Sequence, residues 1–151
     1  IMSIKWGPST WLLLHSLSLK VKEEEFDSVK LELIDIFKQM CFVLPCPYCQ
    51  KHAKEYITSK DFNKIKSKQD FIDMLWAFHN IVNVKTGKKV YKREDLKVYE
   101  NAVLKNVVIN FQRVFMKPIN NQRLLMDTLG RERVIKRLNN FLKNNSSKFA
   151  F

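Results

Sequence analysis

The segment from Gln69 to Lys88 puts two dissimilar faces on one helix. At about 100° per residue, Phe71, Leu75, Phe78 and Val82 fall on an apolar face, and Trp76, His79, Asn80 and Asn83 fall on another. Such a helix needs a core on one side. On the other it needs something that accepts aromatic and hydrogen-bonding contact. Lys85 and Lys88 add positive charge where the helix ends, and Gly87 is free to take the left-handed cap conformation. A bound nucleotide uses all of these features. A half-buried helix whose His and Asn side chains satisfy one another uses them equally well.

Helical spacing recurs along the chain. Trp6-Gly7-Pro8 reads as a helix entry, with Pro8 suited to the first turn. Trp11 and His15 then share a face, and Leu13, Leu14 and Leu17 supply the core side. Phe26, Val29, Leu33, Ile36, Phe37, Met40 and Leu44 mark a second helix that Pro45 ends, and a third is expected from about Pro47 to Thr58. Residues 59–68 read as a polar loop and 92–96 as a single irregular turn. Tyr99, Val103, Val107, Phe111 and Phe115 mark another helix, broken at Pro118 and Asn120-Asn121. Leu124, Leu125, Leu129, Ile135, Leu138 and Phe141 suggest one or two more. The last residues, 144–151, read as a frayed polar end. With 3 Gly and 4 Pro in 151 residues, turns are too few for a β-rich fold, and the strongest strand candidate is Lys89–Tyr91.

The net charge is +12, and residues 100–151 carry 10 Lys/Arg against 3 Asp/Glu. A basic surface favours anionic partners. No dense Lys/Arg run occurs, however, and the charges are spread as solvated helix faces, which argues against a nucleic-acid partner. No apolar run approaches the roughly 18 residues that read as a membrane span. No secretory leader is expected, because Trp6-Gly7-Pro8 comes so early.

Three cysteines do not make a disulfide framework. Cys46-Pro47-Tyr48-Cys49 is a C-x-x-C at the expected start of a helix, where the dipole and free amides favour thiolate over thiol. Cys41 stands alone upstream and reads as a small buried hydrophobe. A redox dithiol, two Trp/His helix faces and a lysine-bearing helix end together suggest a flavin enclosed in a helical bundle.

At these residues the chain resembles the Erv/ALR family of FAD-dependent sulfhydryl oxidases. Three blocks carry the resemblance, in the family's order: Trp6-Gly7-Pro8-Ser9-Thr10-Trp11 with His15; Pro45-Cys46-Pro47-Tyr48-Cys49; and Trp76 with His79-Asn80, Val82-Asn83, Lys85 and Gly87-Lys88. The resemblance implies an all-α fold: a four-helix bundle with a short fifth helix enclosing FAD, formed by residues 1–100. Residues 101–151 would add C-terminal helices, packed on the core or at a subunit interface. It implies FAD contacts from Gly7, Thr10, Trp11, His15, Tyr48, Trp76, His79, Asn80, Val82, Asn83, Lys85 and Lys88, with Cys46 and Cys49 catalytic and no metal. Cys49 would face the flavin and Cys46 the substrate. Tyr99 would fill an aromatic role after the helix. Implied partners are a thiol-bearing client or a thioredoxin-like shuttle, O₂, and a second copy in a homodimer. Pro8 stands where the family has Arg, Cys41 has no partner for a structural disulfide, and no second C-x-x-C is present. That pattern resembles members from large DNA viruses, implying host cytoplasm or virion, with the mitochondrial intermembrane space as the alternative.

Three other readings stay open at the level of sequence, one of them a catalytically dead bundle used as a viral or chaperone-like adaptor. Cys41, Cys46, Cys49 and His52 could form a Cys₃His zinc site in a basic module. Cys-Pro-Tyr-Cys is also the active sequence of glutaredoxins, whose fold requires a strand just before it.

Overall fold

The computed structural model describes residues 6–117 and 125–151. The helices are α1 (Trp6–Lys20), α2 (Phe26–Phe42), α3 (Pro47–Ser59), α4 (Lys68–Lys85), α5 (Leu104–Phe115) and α6 (Leu125–Asn144). Short 3-10 segments stand at Glu23–Glu25, Phe62–Lys64, Arg93–Tyr99 and Ser146–Lys148. The expected breakers Pro118, Asn120 and Asn121 lie outside the described residues, as do Leu124 and the Leu125 side chain.

Local chemistry sets these boundaries. Pro45 disfavours helical backbone at the residue before it, so α2 stops at Phe42 and α3 restarts with Pro47 in its first turn. Ser67 accepts from the Asp70 amide while Asp70 accepts from the Ser67 amide, a reciprocal box that starts α4. At the other end Gly87 has φ 70°, Lys88 N donates to Asn83 O at 2.8 Å and Gly87 N donates to Val84 O at 3.3 Å. This is the Schellman turn, and it needs a residue without a Cβ penalty at that φ.

Packing follows the apolar stripes. α1 lies against α5 and α4, and α2 lies against α3 and α6. Leu13, Leu17, Leu33, Ile36, Phe37, Met40, Phe71 and Leu75 form one fully buried cluster with Phe111, Phe115, Leu138 and Phe141. The C-terminal helices therefore fill the same core as α1–α4. Arg137 of α6 pairs with Asp35 of α2 at its edge.

Three expectations need correction. Tyr99 does not begin α5; it ends the 3-10 segment, and α5 starts at Leu104. Lys89–Tyr91 forms no strand; the Tyr91 backbone bonds the Asn80 side-chain amide of α4 instead, as described below. The C-terminal end is not frayed. Phe149 is buried against Phe141, Val21 and Phe149 form an antiparallel bridge, and Lys22 N–Lys148 O and Ala150 N–Lys20 O bonds flank it at 2.8 Å each. One aromatic side chain is enough to pin a segment that its polar neighbours made look loose.

Candidate active site

Cys46 is the N-cap of α3. Its backbone is extended, and its sulfur accepts the Cys49 amide at 3.2 Å. A sulfur at this position sits at the positive end of the helix dipole, where negative charge is favoured. Cys49, one turn inward, packs against the main core. Burial pushes its thiol up to about 12, and the hydrogen bond and charge of Cys46 push the same way. Both thiols are free. The pair is thus asymmetric, with an outer, amide-bonded sulfur and an inner one against apolar surface. Cys41 is buried in α2, and burial alone pushes its thiol to about 12.

The C-terminal helix braces the dithiol loop. Gln50 Nε2 donates both to Leu44 O (2.6 Å) and to Asp127 Oδ2 of α6 (2.9 Å). Gly130 of α6 meets Val43 so closely that a Cβ there would stand 2.7 Å from a Val43 methyl. A β-branched neighbour cannot easily turn away, so the close approach requires glycine.

α1 and α4 meet through a stack of rings. Trp11 lies face to face on His79, with centroids 4.0 Å apart and planes 6° from parallel. His15 stacks on Tyr99 at 4.6 Å, Phe78 meets Trp11 edge-on at 5.4 Å, and Tyr91 meets His79 edge-on at 4.8 Å. His15 Nε2 and His79 Nδ1 are 2.9 Å apart, so one donates and the other accepts. Burial, then the charge of His79, lowers His15 to about 3; burial, then the charge of Lys88, lowers His79 to about 4. Both rings are neutral at pH 7.

Trp76, Asn80 and Asn83 do different work. Trp76 Nε1 and Asn80 Nδ2 both donate to Tyr91 O, at 3.0 and 2.9 Å, and Tyr91 N donates to Asn80 Oδ1 at 2.8 Å. The Asn80 amide thus imitates a strand partner and holds the returning chain against α4. Asn83 donates weakly to Asn80 at 3.4 Å, and the Arg93 guanidinium covers the Trp76 ring at 4.5 Å.

The remaining candidates scatter around this frame. The Thr10 hydroxyl donates to Trp6 O at 2.6 Å, and Gly7 stands in the first turn of α1 with open space beside it. Val82 packs half-buried against the core. Lys88 is exposed. Lys85 reaches α3, its Nζ 2.8 Å from His52 Nδ1, and exposed Tyr48 sets its ring against His52 at 4.2 Å. The structure therefore gathers Trp11, His15, His79 and Tyr99 into one wall and links that helix to the dithiol helix. It does not place the two Trp/His faces opposite each other across a slot, because Trp11 rests directly on His79. Spacing did not disclose Tyr91, whose main chain clamps the site. Its signal is a lone aromatic following the glycine turn.

Among the described residues no group of three or more His, Cys, Asp or Glu is arranged to hold a metal, and Cys41 is sealed in α2. Among the described residues no strand precedes the C-x-x-C.

The family model described as Erv1 / Alr matches residues 8–102. An FAD-linked sulfhydryl oxidase of African swine fever virus is 30% identical over 105 residues, covering 69% of this chain and 87% of the relative. The FAD-linked sulfhydryl oxidase ERV1 of Arabidopsis thaliana is 30% identical over 88 residues, 58% and 46% of the two chains. The mitochondrial FAD-linked sulfhydryl oxidase ERV1 of Saccharomyces cerevisiae is 28% identical over 82 residues, 54% and 43%. No solved structure gives a significant match.

Proposed function

The chain belongs to the Erv1/Alr family, and from that premise we propose that it is an FAD-linked sulfhydryl oxidase that makes disulfides in client or shuttle proteins. One observation carries the reading. Cys46 caps α3 and Cys49 lies in its first turn, α3 touches α4 through His52 and Lys85, and α4 brings a neutral imidazole into a stack of planar side chains. Neutral, hydrogen-bonding rings suit a flavin, and Lys85 and Lys88 suit its phosphates. A ring system would lie against the Trp11–His79 stack and not between its members, which already touch. The contacts assigned to Gly7, Thr10, Trp11, His15, Tyr48, Trp76, His79, Asn80, Val82, Asn83, Lys85 and Lys88 remain part of this proposal.

Oxidation of a client begins at Cys46 of the Cys46–Cys49 disulfide, the sulfur not packed on the core. A client thiolate attacks Cys46 Sγ, the S–S bond breaks, and its electron pair leaves on Cys49. A second client thiolate attacks the first client sulfur and displaces Cys46. The client departs as a disulfide, with two electrons now held on the Cys46/Cys49 pair. FAD, when bound, supplies the acceptor that reoxidises the pair and passes the electrons to O₂, giving hydrogen peroxide. Cys49, half-buried, packs one side of its sulfur against the core.

A homodimer, a thioredoxin-like shuttle or other thiol client, and a host-cytoplasmic or virion location complete the proposal. Viral origin fits the swine fever virus relative, 87% of which this chain spans. Among the described residues no helix is long and apolar enough to cross a membrane.

Purified protein tests the reading. It is expected to be yellow, with an absorbance band near about 450 nm from bound flavin. The double variant Trp76→Ala, His79→Ala is expected to lose that band on gel filtration, because the Tyr91 clamp and the ring wall go together. Colourless unmutated protein carrying one zinc per chain would overturn the proposal. A second variant separates the thiols: Cys41→Ser is expected to keep dithiothreitol-driven oxygen consumption within about twofold. It places a hydroxyl in the core and costs about 1–3 kcal/mol of stability in a denaturant titration. Loss of turnover in a folded Cys41→Ser protein would give Cys41 a redox role.

A further inference from the structure

His52 sits three residues beyond Cys49 on the stripe of α3 that also carries Ala53 and Tyr56, and Tyr56 stacks on Phe78 of α4 at 4.4 Å. Its two nitrogens differ. Nδ1 faces Lys85 Nζ at 2.8 Å. An ammonium group only donates, so Nδ1 is the acceptor and the ring proton resides on Nε2. Nε2 is buried and has no hydrogen-bond partner among the described residues. A buried donor left unpaired is costly and calls for an explanation. Glu55, 3.7 Å from Nδ1, is beyond hydrogen-bond range.

Long side chains on a helix lean back over the preceding turn, onto positions i−3 and i−4. For His52 those positions are Cys49 and Tyr48, and the ring contact with Tyr48 at 4.2 Å shows that it leans this way. We propose that His52 donates Nε2–H to the Cys49 thiolate, and that Lys85 acts through His52 as a positioning residue by fixing its tautomer. The inference rests on the oxidase reading. When a client thiolate takes Cys46 into a mixed disulfide, the electron pair of the broken S–S bond resides on Cys49, and the histidine hydrogen bond is made at that moment. No proton transfer is required. Burial and the neighbouring Cys46 both oppose charge on Cys49, so a donor on the inner face supplies what the local environment withholds. The charged or titratable groups facing His52 are Tyr48 and Glu55 on α3 and Lys85 on α4.

The test uses the full chain as purified, in a Cys41→Ser, Cys46→Ala background, where Cys49 is the remaining thiol. Its iodoacetamide alkylation rate is measured from pH 6 to 11. His52→Ala is expected to slow alkylation about tenfold at pH 8 and to move the midpoint upward. His52→Gln, which restores an amide donor, is expected to recover to within about threefold. Lys85→Met is expected to slow it about threefold with the histidine intact. Overlapping profiles for His52→Ala and its parent would overturn the proposal; if His52→Ala fails to fold by circular dichroism, an unchanged Lys85→Met profile would do so. The flavin band and oxygen consumption of the unmutated protein report separately on the oxidase reading.

Discussion

Cys49→Ser is expected to reduce dithiothreitol-driven oxygen consumption by more than about a thousandfold, to the assay background, while the protein stays yellow. A serine hydroxyl forms no disulfide, so the pair can neither accept a client thiolate nor hand electrons inward. The fold should hardly notice. Cys49 is only half-buried, its main-chain N–H rather than its side chain donates to Cys46 Sγ, and the substituted hydroxyl keeps a similar volume. Stability is expected to fall by about 1 kcal/mol or less. Cys46→Ser should be equally inactive and more stable than most active-site variants, since serine is among the best N-cap residues for α3. Oxygen electrode traces and flavin spectra measure both outcomes. Retained turnover in Cys49→Ser would remove the Cys46–Cys49 pair from the mechanism.

The second large effect is acid destabilisation. His15 and His79 are held at about 3 and about 4 in the folded chain, first by burial. In the unfolded chain each titrates near about 6.5. Below that value the unfolded state binds protons that the folded state refuses, so stability falls as pH drops from about 6.5 toward 4. Two refused protons make the loss on the order of several kcal/mol, enough to threaten a domain of ordinary stability. Asp70, held below the usual carboxylate range first by the Lys66 amide, adds its own loss only at lower pH. Urea titrations at pH 7, 6, 5 and 4 measure the slope, and His15→Asn is expected to flatten it. A flat profile above pH 4.5 in the unmutated protein would mean that the rings are not sealed from water.

Much of this molecule can be read from spacing. Apolar stripes mark the helices, Pro45 and Gly87 mark the ends of α2 and α4, and the C-x-x-C falls on the N-terminus of α3. The site is legible as a set of faces and not as a set of contacts. A Trp/His face complements a planar ligand, and it complements another Trp/His face just as well; spacing cannot distinguish Trp11 lying on His79 from Trp11 lying on a cofactor. Trp76 and Asn80 look like ligand contacts for the same reason, yet their donors go to Tyr91 O, eleven to fifteen residues on. The polar end reads as frayed because the contribution of Phe149 depends on where Phe141 and Val21 lie in space.

The hydrogen shared by His15 and His79 has a mechanical consequence. It joins two helices sixty-four residues apart in sequence at a single atom, within a layer of rings too closely fitted to slip past one another. Sliding α1 along α4 by even one turn would strand a buried ring nitrogen and unstack Trp11 at the same time. The shared hydrogen and the ring layer thus resist that slide together, while the strap at residues 88–93 is fastened to α4 by Asn80, the Trp76 indole and the Arg93–Asp73 ion pair.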